Sequence, residues 1–360
     1  MCKAAVSHFL GLVDMRNLSL YIHIPFCATK CSYCSFNTYA NIQHLLPAYL
    51  DALKAELRLW GEALGKPRVK TIFFGGGTPS LLKSKEVESV LRECYDSFSV
   101  DPGAEITAEA NPDDIRGSKP ANLRSAGVNR LSIGVQSLMD RHLAALTRRH
   151  TVQDALAAYS HARKAGFDNI NLDFIYGLPR QSLDEWHETL RQAVSLAPEH
   201  LSLYALTVDE GTPLHKEVHL TRSVPEPDPD LAADMYELAE EVLGAAGYGH
   251  YEISNWAKPG CEALHNLTYW RNQPYLGVGP GAHSYLGGYR FHDILSPAKY
   301  IQEVNRRTGG VHSASGSVRF WVVGKPSRRS LGREGGYKLP SGWGGMPQLS
   351  TTCEQSRGLK

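Results

Sequence analysis

Six short runs rich in apolar, β-branched and aromatic residues recur along the first two thirds of the chain, separated by segments with helical spacing. The runs are the one starting at Leu18 and broken by Pro25, then Val69–Phe74, Glu105–Ala110, Arg130–Val135, Asn169–Ile175 and His200–Leu206. Between them lie helical patterns at Leu46–Leu64, Ser84–Phe98, a stretch ending at Ala126, Thr151–Ala165 and Ser182–Leu196. Strand and helix in strict alternation imply right-handed βα units and a parallel sheet, because only a crossover returns the chain to the same edge direction. Periodicity alone does not choose between an open doubly wound sheet and a barrel. In a barrel, chemistry collects where strands end. Polar or glycine residues stand at those ends: Gly75–Gly77, Glu109, Gln136, Asp173 and Tyr204–Ala205. Each has a plain structural reading, as a tight turn, a helix cap or an ion-pair partner. Their shared register favours a common site.

The loop after the first strand carries Cys27, Cys31 and Cys34, spaced C-x₃-C-x₂-C. Thiolates are soft ligands suited to zinc or iron–sulfur clusters. A structural zinc site takes four ligands. A [4Fe–4S] cube held by three cysteines leaves one iron open to a small molecule. Position 36 is Phe, not a fourth thiol. A zinc knuckle completed by His23 or a distant Cys, and three incidental thiols, are the competing readings.

Composition sets the surroundings. In 360 residues, 42% are hydrophobic and 21% charged, which is globular usage with room for one large α/β domain and an accessory region. The net charge of +1 conceals an asymmetry: the segment from Val311 to Lys360 holds eight Lys/Arg and two Asp/Glu, leaving 30 basic against 35 acidic residues elsewhere. A mildly acidic body gives no nucleic-acid surface. Seven cysteines, an odd number with three clustered, suit a reducing, cytoplasmic compartment better than a disulfide framework. No apolar run approaches the ~20 residues of a transmembrane helix. The N-terminus lacks a small-residue cleavage site and is interrupted by Asp14 and Arg16, so no signal peptide is read, and Met15 is a candidate start.

The cysteine spacing after a strand ending in Pro-Phe resembles the radical S-adenosylmethionine (SAM) superfamily. That resemblance implies a partial (β/α)₆ TIM-like barrel, a [4Fe–4S] cluster on Cys27, Cys31 and Cys34, and SAM bound at the open iron through its methionine amine and carboxylate. The chemistry implied is one-electron reduction of SAM to methionine and a 5′-deoxyadenosyl radical, fed by an electron donor. Carried over residue by residue, Gly77 and Thr78 of the GGGTP stretch meet the methionine amine. Arg148 takes the methionyl end, as a planar fork suits a carboxylate. Gln136 and Asp173 take ribose hydroxyls, with Glu109 near the same moiety. Tyr21 and Tyr33 flank the cluster and SAM, with core packing as their alternative role. Ala205 ends the sixth strand, and His283, in a Gly-rich stretch (Leu276–Ser284) expected to loop over the mouth, completes the pocket.

Within the superfamily, roughly Asn17 to Arg307 resembles the oxygen-independent coproporphyrinogen III oxidase-like group, through YIHIPFCATKCSYCSFN, FFGGGTPS, AEANPDD, RLSIGVQS, NLDFIYGLP and LSLYALTVDEGTP. Phe36 in place of a further cysteine, the short lead into the first strand, and His265-Asn266-Leu267-Thr268-Tyr269-Trp270 as an HNxxYW motif resemble the HemW-type haem chaperone class. This implies haem binding, with His265 as an axial ligand and Tyr269 and Trp270 as apolar surface. A structural histidine beside a packed Trp is the alternative. It also implies haem-accepting partners such as respiratory enzymes and leaves room for peripheral membrane contact, while the decarboxylating oxidase is the alternative function. The expected organisation is an extension at 1–16, a barrel at 17–225, a smaller, apparently truncated C-terminal accessory region at 226–310, and an atypical tail at 311–360. In that tail periodicity stops and Gly, Ser and Arg rise, as in a disordered or frame-shifted segment.

Overall fold

The computed structural model describes residues 17–308. The extension at 1–16, with Met15, and the atypical tail lie outside the described residues. Six parallel strands follow one another in chain order across one sheet: β1 Leu18–Ile24, β2 Arg68–Gly76, β3 Ser99–Ala110, β4 Arg130–Gln136, β5 Ile170–Tyr176 and β6 His200–Ala205. Beyond β6 lie β7 Gly249–Glu252 and β8 Asn255–Ala257, added antiparallel. Beside β1 lie β9 Tyr275–Val278, β10 His283–Leu286 and β11 Tyr289–His292. The sheet is open, with β11 and β7 at its edges.

Strand β9 corrects one expectation. Leu276–Ser284 is not simply a loop: Tyr275, Leu276, Gly277 and Val278 pair in parallel with Ser19, Leu20, Tyr21 and Ile22. Three apolar residues in four make a buried strand, and the glycine-rich turn that signalled a loop begins only at Gly279. Elsewhere the elements differ from the sequence reading mainly at their ends, most at β3, which begins at Ser99.

Side chains alternate across a strand, and here the two faces are chemically opposite. Leu18, Leu20, Ile22 and Ile24 of β1, Ile106 and Ala108 of β3, Leu131 and Ile133 of β4, Leu172 and Phe174 of β5, and Leu201 and Leu203 of β6 enter one hydrophobic core. That face packs on helices α1 Leu46–Leu64, α2 Ser84–Ser97, α3 Lys119–Ser125, α5 Val152–Lys164 and α6 Leu183–Ser195. The short α4 Asp140–Ala145 lies after β4. Further along come α7 Pro229–Ala245, which packs on α6, and α8 Leu264–Trp270 and α9 Pro297–Thr308, of which α9 packs on α1.

Local chemistry sets several helix ends. A proline in the first turn and Gly65 at φ +70° bound α1. Thr151 with Asp154 and Ser182 with Glu185 form capping boxes on α5 and α6.

The opposite, concave face carries Ser19, Tyr21 and His23; Thr71, Phe73 and Gly75; Glu105, Thr107 and Glu109; Arg130, Ser132, Gly134 and Gln136; Asn171 and Asp173; and His200, Ser202 and Tyr204. Register sets them in rows: Ser19 opposes Thr71, Thr71 opposes Glu105, Gly134 opposes Asp173, and Asn171 opposes His200. Buried polar side chains need partners, and these find them in one another and in α8.

Candidate functional site

At the C-terminal end of β1, Pro25 breaks the strand and the chain folds into a loop. Phe26–Cys27 pairs with Tyr39–Ala40, and the Tyr39 amide donates to the Pro25 carbonyl at 2.8 Å, so the loop's two ends are tied together. Inside it the Cys34 amide donates to the Cys31 carbonyl at 3.2 Å. Cys27 is buried; Cys31 and Cys34 are half-buried.

Each thiol meets a polar side chain from a different place. The Thr78 hydroxyl donates to Cys27 Sγ at 3.5 Å, Thr38 Oγ1 lies 3.9 Å from Cys34 Sγ, and Arg148 Nη1 donates to Cys31 Sγ at 3.5 Å. Burial holds the Cys27 and Cys34 thiols above their usual range, so each would favour a ligand that takes up its negative charge.

The glycine stretch after β2 lies directly against this loop. The Gly77 amide donates to the Ile24 carbonyl at 2.7 Å and the Thr78 amide to the Phe26 carbonyl at 2.8 Å. A Cβ on Gly77 would stand 2.6 Å from the Phe26 carbonyl oxygen and 2.7 Å from that of Ile24, so no side chain fits. The Gly76 amide donates to Glu109 Oε2 at 3.0 Å. Burial first, and then the nearby Asp173 carboxylate, push Glu109 up to about 8.

Arg148 is brought in by the turn after α4. That turn docks on the cysteine loop, with the Ser32 amide donating to Thr147 Oγ1 at 2.8 Å. Its Nη2 donates to Asn111 Oδ1 at 2.6 Å and to the Gly134 carbonyl at 2.9 Å, and its buried Nε has no hydrogen-bond partner. A cation whose hydrogen bonds reach only neutral oxygens and a thiol retains capacity for an anion.

The remaining expected residues spread around this centre. Tyr21 stacks on Phe73 and bonds to His23 Nδ1 at 3.0 Å, below the mouth. Tyr33 packs with Leu146, Ile175, Leu178 and Leu206. Gln136 ends β4 in the left-handed region at φ +68°, a strained state for a residue with a side chain and the kind found at ligand clamps. Asp173 accepts from Ser132 Oγ at 2.9 Å and Asn171 Nδ2 at 2.7 Å. Ala205 is exposed at the end of β6, opposite Tyr176. His283 lies on β10, its ring 5.2 Å from that of His292; burial first, and then His292, His23 and Arg290, hold it down at about 4.

His265 is placed differently from the others. Helix α8 lies across the N-terminal ends of β1, β2 and β3, at the end opposite the cysteines. Ser19 Oγ meets Thr268 Oγ1 at 2.8 Å, and Glu105 accepts the Leu264 and His265 amides at 2.9 Å each. The His265 ring is 2% exposed, with Nδ1 2.8 Å from Thr71 Oγ1 and Nε2 2.8 Å from the Tyr269 hydroxyl. In this conformation both ring nitrogens are engaged.

Sequence reasoning passed over Thr38, Asn111, Ser132, Asn171 and His200. A signal was there for the last three: polar residues at every second position of otherwise apolar strands. Among the described residues no three His, Cys, Asp or Glu side chains form a set for a single metal ion. A cube takes one thiolate per iron, so three thiols need not converge on one point.

The family model of the Radical SAM superfamily matches residues 21–193. "Heme chaperone HemW" of Mycobacterium tuberculosis (strain ATCC 25618 / H37Rv) is 42% identical over 297 residues, covering 81% of this chain and 76% of that protein. The chain belongs to the HemW group of the radical SAM superfamily. The Bacillus subtilis (strain 168) "Heme chaperone HemW" is 41% identical over 287 residues, covering 79% of this chain and 75% of the relative. Among solved structures, "Coproporphyrinogen III oxidase (HemN) from Escherichia coli is a Radical SAM enzyme" superposes with a TM-score of 0.72 at 27% identity, over 84% of this chain and 72% of that one. The HemW and HemN likenesses both extend well beyond the residues of the Radical SAM match, into the region that carries α8.

Proposed function

We propose that this chain is a haem chaperone that carries a [4Fe–4S] cluster on Cys27, Cys31 and Cys34, binds SAM beside it, and delivers haem to acceptor proteins such as respiratory enzymes. The observation that carries this is 42% identity to proteins named haem chaperones over four fifths of the chain, against 27% to the solved oxidase. The thiols fit such a cluster: three in one loop, each beside a donor from a different part of the fold, with an under-partnered arginine alongside. A cluster held there would supply single electrons to SAM, drawn in turn from an electron donor.

The chain's own residues bind and orient. Gly77 and Thr78 set backbone groups against β1 where the methionine amine would sit. Arg148, held by the Asn111 and Gly134 oxygens, offers its fork to the carboxylate. Gln136, Glu109 and Asp173 would meet the ribose, and the apolar cluster around Tyr33 would exclude water from one side. Haem ligation by His265 requires Nε2 to give up the Tyr269 hydroxyl and the ring, 2% exposed, to be uncovered, so haem binding in this reading turns Tyr269 aside and opens the packing around the ring. In this reading the protein works in the cytoplasm and makes peripheral contact with membranes where its haem acceptors lie.

Anaerobic reconstitution tests the reading. Iron and sulfide should bind in a ratio that falls away in Cys27→Ala, Cys31→Ala and Cys34→Ala, SAM should perturb the cluster spectrum, and haem retention should drop in His265→Ala. The HemN likeness favours one rival, oxidative decarboxylation of porphyrinogen propionates. Accumulation of protoporphyrinogen IX from coproporphyrinogen III would replace the chaperone reading with that one.

A further inference from the structure

A file of buried polar side chains runs from Asp173 to the floor of the barrel, and its hydrogen bonds take a single direction. Asn171 and Ser202 are each 2% exposed and His200 1%. His200 Nδ1 lies 2.6 Å from Asn171 Oδ1. That oxygen only accepts, so Nδ1 carries the proton. The neutral ring then accepts at Nε2 from the Tyr251 hydroxyl, 2.8 Å away. Burial, with Arg130 nearby, holds His200 well below its usual range, which keeps the ring neutral as this assignment requires.

Asn171 spends both amide hydrogens, on Asp173 Oδ1 at 2.7 Å and Ser132 Oγ at 2.8 Å. Ser132 in turn donates to Asp173 Oδ2 at 2.9 Å, and Ser202 donates to Asn171 Oδ1 at 3.1 Å. At the far end Tyr251 accepts from Asn266 Nδ2 at 3.3 Å, and Asn266 also donates to Glu252 Oε1 at 3.1 Å. Asn266 is the second residue of the HNxxYW motif, on the floor helix α8. From Asn266 through Tyr251, His200 and Asn171 the donors lead toward the Asp173 carboxylate, with the Asn266–Glu252 bond as a side branch, and hydrogen bonds aligned head to tail polarise one another.

We infer that Asn171 and His200 are positioning residues for the ribose-binding carboxylate of Asp173, and that Asn266 of the HNxxYW helix anchors them from below through Tyr251. This rests on the proposed SAM site. The Asp173 oxygens receive Ser132 and Asn171, with the Ser202 hydroxyl beside them, and keep lone pairs for the hydroxyls of a bound nucleoside. Without His200, Asn171 Oδ1 keeps only the Ser202 donor, the amide is free to turn, and the carboxylate loses its orientation. The motif's second residue therefore supports the nucleoside site, whatever its first residue does toward haem.

The experiment is equilibrium dialysis of cluster-loaded protein against SAM and against its 2′,3′-dideoxyribose analogue. A site built to bond hydroxyls should prefer SAM by about tenfold or more. Asp173→Asn should collapse that preference; if it does not, the SAM reading of Asp173 fails and takes the inference with it. Given that benchmark, His200→Leu should bring the ratio near one while leaving affinity for the analogue unchanged. His200→Asn, whose amide N–H replaces the Nδ1–H, should restore it. A ratio unchanged in His200→Leu, or equal loss for both ligands, would overturn the inference. Should His200→Leu not fold, Tyr251→Phe removes one oxygen only, and an unchanged ratio there would overturn it too.

Discussion

Replacing Glu109 with Gln isolates what a partly desolvated carboxyl costs this sheet. In the folded chain Glu109 is pushed from 4.5 up to about 8. At about 1.36 kcal/mol per pH unit, its ionised form is disfavoured by about 5 kcal/mol relative to its neutral form. Glu109 is only half-buried and faces the mouth, so screening reduces the effect to about 2 kcal/mol. A raised folded value means the native state holds the proton where the unfolded chain has lost it. The contribution is therefore fully present below the unfolded value of 4.5 and is lost as pH rises through about 8. Gln keeps the oxygen that accepts from the Gly76 amide and cannot ionise. Urea unfolding of the metal-free protein at about pH 5 and about pH 9 should show the wild type losing about 2 kcal/mol more than Glu109→Gln across that window. Equal losses in the two proteins would refute the claim that Glu109 sits desolvated beside Asp173.

Gly77→Ala should cost about 1–3 kcal/mol, because the new methyl meets two backbone oxygens that cannot rotate away, and cluster content after reconstitution should fall with it. Trp186, fully buried with Nε1 donating to the Met235 carbonyl at 2.8 Å, ties α6 to α7, so Trp186→Ala should lower stability by about 3–5 kcal/mol in chemical denaturation. Thr78→Val keeps the shape of that side chain and deletes the donor to Cys27, so the reconstituted cluster's midpoint potential should fall while iron content stays constant.

The strand–helix alternation was readable because each buried strand offers its helix-facing residues as a continuous apolar set: Leu18, Leu20, Ile22 and Ile24 already mark a covered face. The cysteine loop was readable from spacing, and Leu46–Leu64 from its proline and glycine ends. What stayed hidden was set by tertiary contact. Nothing local tells Tyr275–Val278 to pair beside β1, since four residues followed by glycines satisfy a loop equally well. The motif around His265 reads as ligand chemistry in isolation, yet its imidazole is held by Thr71, which lies 194 positions away. Asn171 and His200 sit in strands whose apolar partners dominate any local average, and their purpose emerges only once β5 and β6 stand side by side.

With α8 tied across the lower end of β1, β2 and β3 through Thr268 and the Glu105 carboxylate, the imidazole of His265 and the thiols of the cysteine loop stand at opposite ends of the same strands. A metal-bearing guest on that imidazole and a cluster on those thiols would be kept apart by the length of a strand, so the two halves of the chemistry would meet only through the sheet between them.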